Sequence, residues 1–281
     1  MASLKGIKQR INNVKSVEQL ISAMDIIAST KLHKARAQLE GARPIYQGLK
    51  RISEEIGYHE EASKHPFYKS SEVKKSLYLV RTSDRGFAGA YNHNITQKVL
   101  EHIEAGGKNA EIIAIGQKGY EFFSRRDFNI ACKITDVSDA RMYHETEDIS
   151  KFVLNLFLSG KVQEVFVCYT HFENVLKNIP TVEKLLPLPY SPREYYEELR
   201  KYEPDLMTYI EHTIPLYIHM SIFRAFSESH TSEQASRMVS MDSASKNAEE
   251  MIDKLTYQYN RKRQAAITKE LTEIVGSKSL L

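Results

Sequence analysis

From Leu216 to Val275 the chain contains neither glycine nor proline, and this uninterrupted run limits the possible folds more than any other feature. Pro215 suits the first turn of a helix and Gly276 its end. At 1.5 Å per residue an unbroken helix over this run is about 90 Å long. A compact domain built from 281 residues would be nearer about 40 Å across. The helix is therefore expected to project from any globular part, and the chain reads as partly a rod.

The N-terminus offers a partner. Between Ile7 and Glu40 there is again no glycine or proline. Apolar residues recur at Leu4, Ile7, Ile11, Val14, Val17, Ile21, Met24, Ala28, Leu32, Ala35 and Leu39, at the spacings of three and four that mark one helical face. Gly41 and Pro44 are expected to weaken or bend this helix. Two such stripes predict an antiparallel coiled coil. The small residues between Ser227 and Ala248 would let the two axes approach closely, at a loss of about 0.8 kcal/mol per missing buried methylene. The C-terminal helix is the longer by roughly 25 residues, or near 40 Å. Its overhanging end presents Ile267, Leu271 and Ile274 on one face, an arrangement suited to a partner's sleeve rather than to water.

Between the helices the texture changes. Apolar, β-rich runs at 77–80, 112–115, 129–134 and 165–169 alternate with helical stretches at 94–104, 118–124 and 147–158. The pattern predicts an α/β fold in which long N- and C-terminal helices form an antiparallel coiled coil around a central Rossmann-like parallel α/β domain. The expected divisions are residues 1–57, 73–190 and 205–281, with 205–281 pairing with 1–57. The connections 58–72 and 187–204, rich in charge and proline, read as exposed and mobile.

The charge balance excludes a strong general affinity for nucleic acid, since Lys plus Arg number 39 against 36 Asp plus Glu. Cys132 and Cys168 stand far apart and form no CxxC pair, which points away from zinc and redox chemistry. The opening MASLKGIKQRINNVKS lacks the apolar core of a secretion signal, and no stretch of about 18 apolar residues could span a bilayer. A soluble protein, held at a membrane only through partners, is expected.

Candidate chemistry is sparse. Gly86, Gly89, Gly116 and Gly119 follow strands, where phosphate loops sit, but neither GxGxxG nor GxxxxGK with Ser or Thr occurs, so ordinary turns are expected. His171 and Glu173 after one strand, and Asp84 and Arg85 after another, could form a hydrolytic edge. No nucleophile elbow or metal-spaced pair accompanies them, and a solvated loop is the simpler reading. Lys31, His33, Lys34 and Arg36 on the first helix, and Arg261, Lys262 and Arg263 on the last, are either solvated faces or docking points for acidic segments.

The segments YNRKRQAAITKELTEIV (259–275), EQASRMVSM (233–241), RINNVKSVEQLISAM (10–24), ASTKLHKA (28–35), TSDRGFAGAYN (82–92) and VEKLLPLP (182–189) together resemble the gamma subunits of rotary ATP synthases. The resemblance spans essentially the whole chain. It implies a central stalk that turns inside a ring of three alpha and three beta subunits and meets an epsilon subunit and a membrane c-ring. It would couple proton flow to ATP synthesis or hydrolysis and regulate both. The stalk would be non-catalytic by itself, bind no cofactor or metal, and lie peripherally on the cytoplasmic face of a bacterial plasma membrane. Met24, Arg237, Gln264, Thr268 and Glu270 match positions at which the family's shaft meets its ring. Lys31, Lys34, Arg36, Arg261, Lys262 and Arg263 would share in that coupling, with Ile267, Leu271 and Ile274 as the apolar bearing. The ending GSKSLL departs from the small Gly and Ala residues frequent in the family. Two competing functions remain at this point: an enzyme whose helices merely dimerise, and a helical adaptor that has no use for an apolar tip.

Overall fold

The computed structural model describes residues 4–106, 109–191 and 202–278. The chain divides into two compact units. One comprises Thr30–Ser236 and the other joins Met1–Ser29 to Arg237–Leu281.

The larger unit is built on a five-stranded sheet. Its strands are β1 (Lys75–Arg81), β2 (Asn109–Ile115), β3 (Asn129–Ile134), β4 (Glu164–Phe172) and β5 (Asn178–Leu186), in the order β3-β2-β1-β4-β5. The first four are parallel, and β5 lies antiparallel to β4. Helices α2 (Tyr91–Gly106), α3 (Gln117–Ser124) and α4 (Met142–Leu158) provide the crossovers that parallel strands require. The chain order reverses between β1 and β4, as in doubly wound folds. Leu77, Leu79, Ile113, Ile115 and Val165 meet α4 residues in one core, and Tyr78, Val80, Ile112 and Ala114 meet α2 residues in another. The inner strands are thus apolar on both faces, as covered parallel sheets demand.

Two long helices flank this domain in sequence: α1 (Leu4–Ile56) and α5 (Leu206–Lys278). Several sequence expectations need correction here. Pro215 lies inside α5 rather than at its start, and Pro44 lies inside α1. Each proline removes one helical hydrogen bond. The residues beyond them are held by burial: Tyr46 and Ile56 after Pro44, and Ile210, Ile214 and Ile218 around Pro215. Strand β5 escaped the sequence reading because its sequence, NIPTVEKLL, has no regular alternation and contains Pro180. As an edge strand it tolerates that proline.

The segment 58–72 is not the exposed, mobile connection expected. It contains a 3-10 helix at Glu60–Lys64 and buries Ala62, Phe67 and Tyr68, with the Tyr68 hydroxyl donating to the Ser53 carbonyl at 2.8 Å. In the connection 187–204, Leu188 is buried and its amide donates to the Phe67 carbonyl at 2.7 Å; residues 192–201 lie outside the described set. The small residues from Ser227 to Ala235 also have another purpose than the one expected. They seat α5 in the larger unit, where Ser229 meets Tyr91 of α2 and Ser232 donates to the Thr170 carbonyl of β4.

The smaller unit is helical throughout its described residues, 4–29 of α1 and 237–278 of α5. Ile7, Ala28, Met241 and Ala248 are buried within it.

Candidate interaction surface

Helix α1 has two apolar faces. One is buried: Ala28, Leu32, Ala35, Leu39, Ala42 and Tyr46 follow one another at spacings of four and three. The other is open. Val17, Leu20, Met24 and Ile27 are spaced three, four and three, so they line one helical face, and they are 52%, 62%, 44% and 57% exposed. Ile26 adds to the exposed apolar surface. The sequence reading placed Val17 and Met24 in the buried stripe; both are exposed. Leu20, Ile26 and Ile27 were missed. The signal that could have found them is an excess of apolar residues between 17 and 28, more than one helical face can hold.

At the far end of α5, Ile267 and Leu271 are exposed, and the Ile274 side chain lies outside the described residues. Arg261, Arg263, Gln264, Thr268 and Glu270 are exposed, while Lys262 and Arg237 are half-buried. The Thr268 hydroxyl donates back to the Gln264 carbonyl at 2.9 Å, a local bond that leaves the helix face available. Met24 and this C-terminal set fall in the smaller unit. Lys31, Lys34 and Arg36 fall in the larger one, all exposed, with Arg36 donating to Glu40 at 2.9 Å.

The hydrolytic edge weighed from sequence is occupied by structural bonds. Asp84 accepts the amides of Gln117 and Asp136 at 3.0 and 3.1 Å. Glu173 pairs with Lys177 at 2.8 Å. His171 does not lie in a solvated loop: it belongs to β4, and its Nδ1 lies 2.5 Å from Oε2 of the buried Glu228 on α5. Behind that pair, Arg224 donates to Glu183 at 2.6 Å and to the Tyr169 hydroxyl at 2.8 Å. Burial works against its charge more than any single partner favours it, but Glu183, Tyr169, Tyr46 and Glu228 together outweigh it and raise the Arg224 pKa. Burial likewise pushes the Tyr169 hydroxyl up, and the Cys168 thiol with it, which removes that cysteine as a nucleophile. The Asp139 carboxyl is held below its usual range by the adjacent His230 ring. A depression lined by Ile134, Asp136, Arg141, Glu145 and Asp148 includes none of Asp84, His171, Glu173, Arg224 and Cys168.

The phosphate-loop glycines have packing reasons. Gly116 has a φ of +97°, and a Cβ there would lie 2.2 Å from the Thr82 carbonyl oxygen. A Cβ on Gly119 would lie 2.8 Å from Thr82 Oγ1. Thr82 fills the space they leave, chiefly with its backbone at Gly116 and with its side chain at Gly119. Among the described residues no group of three or more His, Cys, Asp and Glu side chains is placed to hold a metal ion. Among the same residues no helix is long and apolar enough to cross a membrane.

Comparison with known proteins gives a consistent family. Residues 3–281 match the ATP synthase family. The chain is 36% identical over 282 residues to the ATP synthase gamma chain of Moorella thermoacetica, covering 100% of both. It is 37% identical to that of Staphylococcus saprophyticus, covering 98% of both. Among solved structures it resembles a chain of the central stalk/c-ring of the Tetrahymena thermophila mitochondrial ATP synthase. The TM-score there is 0.65 at 23% identity, over 80% of this chain and 99% of that one. A chain of the Euglena gracilis mitochondrial ATP synthase, in its OSCP/F1/c-ring structure, gives a TM-score of 0.70 at 16% identity, over 98% and 93%. At those identities the structural likeness speaks to fold.

Proposed function

The chain belongs to the gamma-chain family of the ATP synthases, the central-stalk subunit of that rotary machine, and we propose that its smaller, helical unit turns inside a ring of three alpha and three beta subunits. The observation that supports this best is the exposed apolar row Val17, Leu20, Met24 and Ile27 on α1. A contiguous apolar face left in water marks a surface that a partner covers. Ile267 and Leu271, with Ile274, serve as the apolar bearing at the end of α5. Arg237, Gln264, Thr268 and Glu270 join Met24 as ring contacts. The cations Lys31, Lys34, Arg36, Arg261, Lys262 and Arg263 meet acidic segments of the ring.

In this reading residues 73–190 form the part that meets an epsilon subunit and the membrane c-ring, and the two terminal helical stretches, 1–57 and 205–281, form the shaft. The chemistry takes place in the partner subunits; this chain conveys torque and so regulates ATP turnover and proton flow. Each proton crossing about 100 mV releases about 2.3 kcal/mol, so several per ATP load the shaft with energy comparable to a domain's stability of roughly 5–15 kcal/mol. A paired shaft resists such a load better than a single helix. We infer a peripheral position on the cytoplasmic face of a bacterial plasma membrane, a reading that the bacterial sources of the relatives support.

The test is reconstitution of alpha and beta subunits with and without this chain, with stoichiometry read by size exclusion. One copy per three alpha-beta pairs, with stimulated ATP turnover, supports the reading. Failure to join competent partners overturns it.

A further inference from the structure

Helix α5 contains a stretch that a slim packing element does not need. Residues 227–234 read Ser-Glu-Ser-His-Thr-Ser-Glu-Gln, and every one of them is buried. Buried polar groups are costly unless bonded, and here the bonds run outward to different elements. Arg224 reaches three other elements: it donates to Glu183 of β5 and to Tyr169 of β4, and its guanidinium carbon lies 4.3 Å from the centre of the Tyr46 ring of α1. Glu228 meets His171 of β4. Ser232 donates to the Thr170 carbonyl at 3.0 Å, while Ser229 lies 2.7 Å from the Tyr91 hydroxyl of α2 and accepts the Thr170 amide at 3.2 Å. Glu233 lies 3.8 Å from Arg81 of β1, and the His219 ring lies 3.1 Å from the Tyr143 carbonyl of α4.

The angular distribution of these bonds is what matters. At about 100° per residue, Arg224, Glu228, Ser232, Ser229, Glu233 and His219 fall at about 0°, 40°, 80°, 140°, 180° and 220° around the helix. Apolar packing is non-directional, and its ridges and grooves can re-form after a helix turns or slides by one step. Hydrogen bonds weaken steeply with misalignment. A small turn of α5 would part Arg224 from three elements at once and leave buried charges unpaired.

We propose that this polar belt is a rotational key, which fixes the angle of α5 about its own axis in the larger unit, with Arg224 as its central positioning residue. The proposal rests on the central-stalk reading and gives it a mechanical part: α5, like α1, runs through both units, and torque borne by residues 237–278 reaches the larger unit along α5 only as far as residues 219–234 cannot turn in their seat.

The key can be tested on the chain alone. Spin labels at Leu216→Cys on α5 and Phe152→Cys on α4, both exposed positions of the larger unit, in a Cys132→Ser background, report their separation as a distance distribution. Wild type is expected to give one narrow peak and Arg224→Met a broadened or shifted one, with Arg224→Lys between them. The double variant Ser229→Ala/Ser232→Ala, milder in volume and charge, is expected to broaden it as well, and decides the matter if Arg224→Met does not fold. Distributions that match wild type in the folded variants overturn the key.

In the reconstituted complex, the folded variants are expected to hydrolyse ATP at near wild-type rates. The protons they pump per ATP against an opposing gradient are expected to fall severalfold. An unchanged ratio in assembled Arg224→Met also overturns the key. Absence of the wild-type chain from the ring, with its narrow peak intact, would count against the central-stalk reading alone.

Discussion

The backbone amide of Gly119 donates to Thr82 Oγ1 at 2.8 Å, tying the first turn of α3 to the residue that follows β1. Thr82 in turn binds the Ile115 carbonyl through both its amide and its hydroxyl, at 2.7 and 3.0 Å. This crowding, at the carboxyl edge of β1 and β2, leaves no room for side chains at Gly116 or Gly119. A Gly116→Ala chain must relieve both a left-handed φ and a clash with the Thr82 backbone. The expected cost is about 3 kcal/mol or more, read as a drop in the urea midpoint. Gly41→Ala is the contrasting case: Gly41 lies within α1 with nothing within 4 Å of an added Cβ, so a gain of about 0.5–1 kcal/mol is expected. Equal midpoints for the two variants would sink this account.

The His219 ring is buried between Tyr143 and Thr146 of α4, and burial lowers its pKa below the ordinary 6.5. His65 is lowered for the same reason. A group whose folded pKa is depressed contributes stability fully present above its unfolded pKa and lost as pH falls toward the folded value. The chain is therefore expected to lose stability as pH drops from about 7.5 to about 5.5, across the ordinary histidine range. His219→Phe, which keeps a ring against Tyr143 and Phe223, is expected to flatten that slope. Urea midpoints at the two pH values check it, and a slope as steep as wild type in the variant would remove His219 as its source.

The contrast between what was readable and what was not follows from where the energy lies. The parallel strands declared themselves because both their faces are buried, so Leu77 to Val80 and Ile112 to Ile115 are unbroken apolar runs. Strand β5 did not, because its stability comes from the ladder with β4 rather than from its own pattern. Proline placement misled at 215 since tertiary burial outweighed local propensity. The exposed row on α1 was half legible: Met24 was singled out by family likeness, whereas Leu20 and Ile27 require knowing which of two apolar faces is covered. The bonding of Arg224 joins residues 41, 55 and 178 positions away in the chain, a relation that no local window contains.

The open row on α1 makes a separable prediction. Leu20→Asp and Ile27→Asp add charge to side chains that are mostly in water, so the chain alone is expected to lose no more than about 0.5–1 kcal/mol. Within the complex the same carboxylates would be buried without partners, and assembly or stimulated ATP turnover is expected to fail. Normal turnover by both variants would show that this face is not an interface.

Reversing Arg261, Lys262 and Arg263 to Glu separates coupling from folding. Arg261 and Arg263 are exposed, and exposed charges contribute little to stability, so the melting temperature of the chain is expected to stay close to wild type. ATP-driven proton pumping by the complex is expected to fall further than the rate of ATP hydrolysis. Unchanged pumping would leave the three cations as a solvated face.

Hydrogen exchange tests the end of α5 without any substitution. Ile267 and Leu271 are exposed in the chain by itself, so little tertiary packing supports the helical hydrogen bonds from 265 to 275, and isolated helical ends open readily. The amides of this segment are expected to exchange quickly in the free chain and to slow by orders of magnitude once the ring is assembled. Amides 219–234, buried in the larger unit, are expected to be protected in both states and supply the internal reference. If 265–275 were as protected as 219–234 before assembly, the segment would already have its full packing and would not need a bearing.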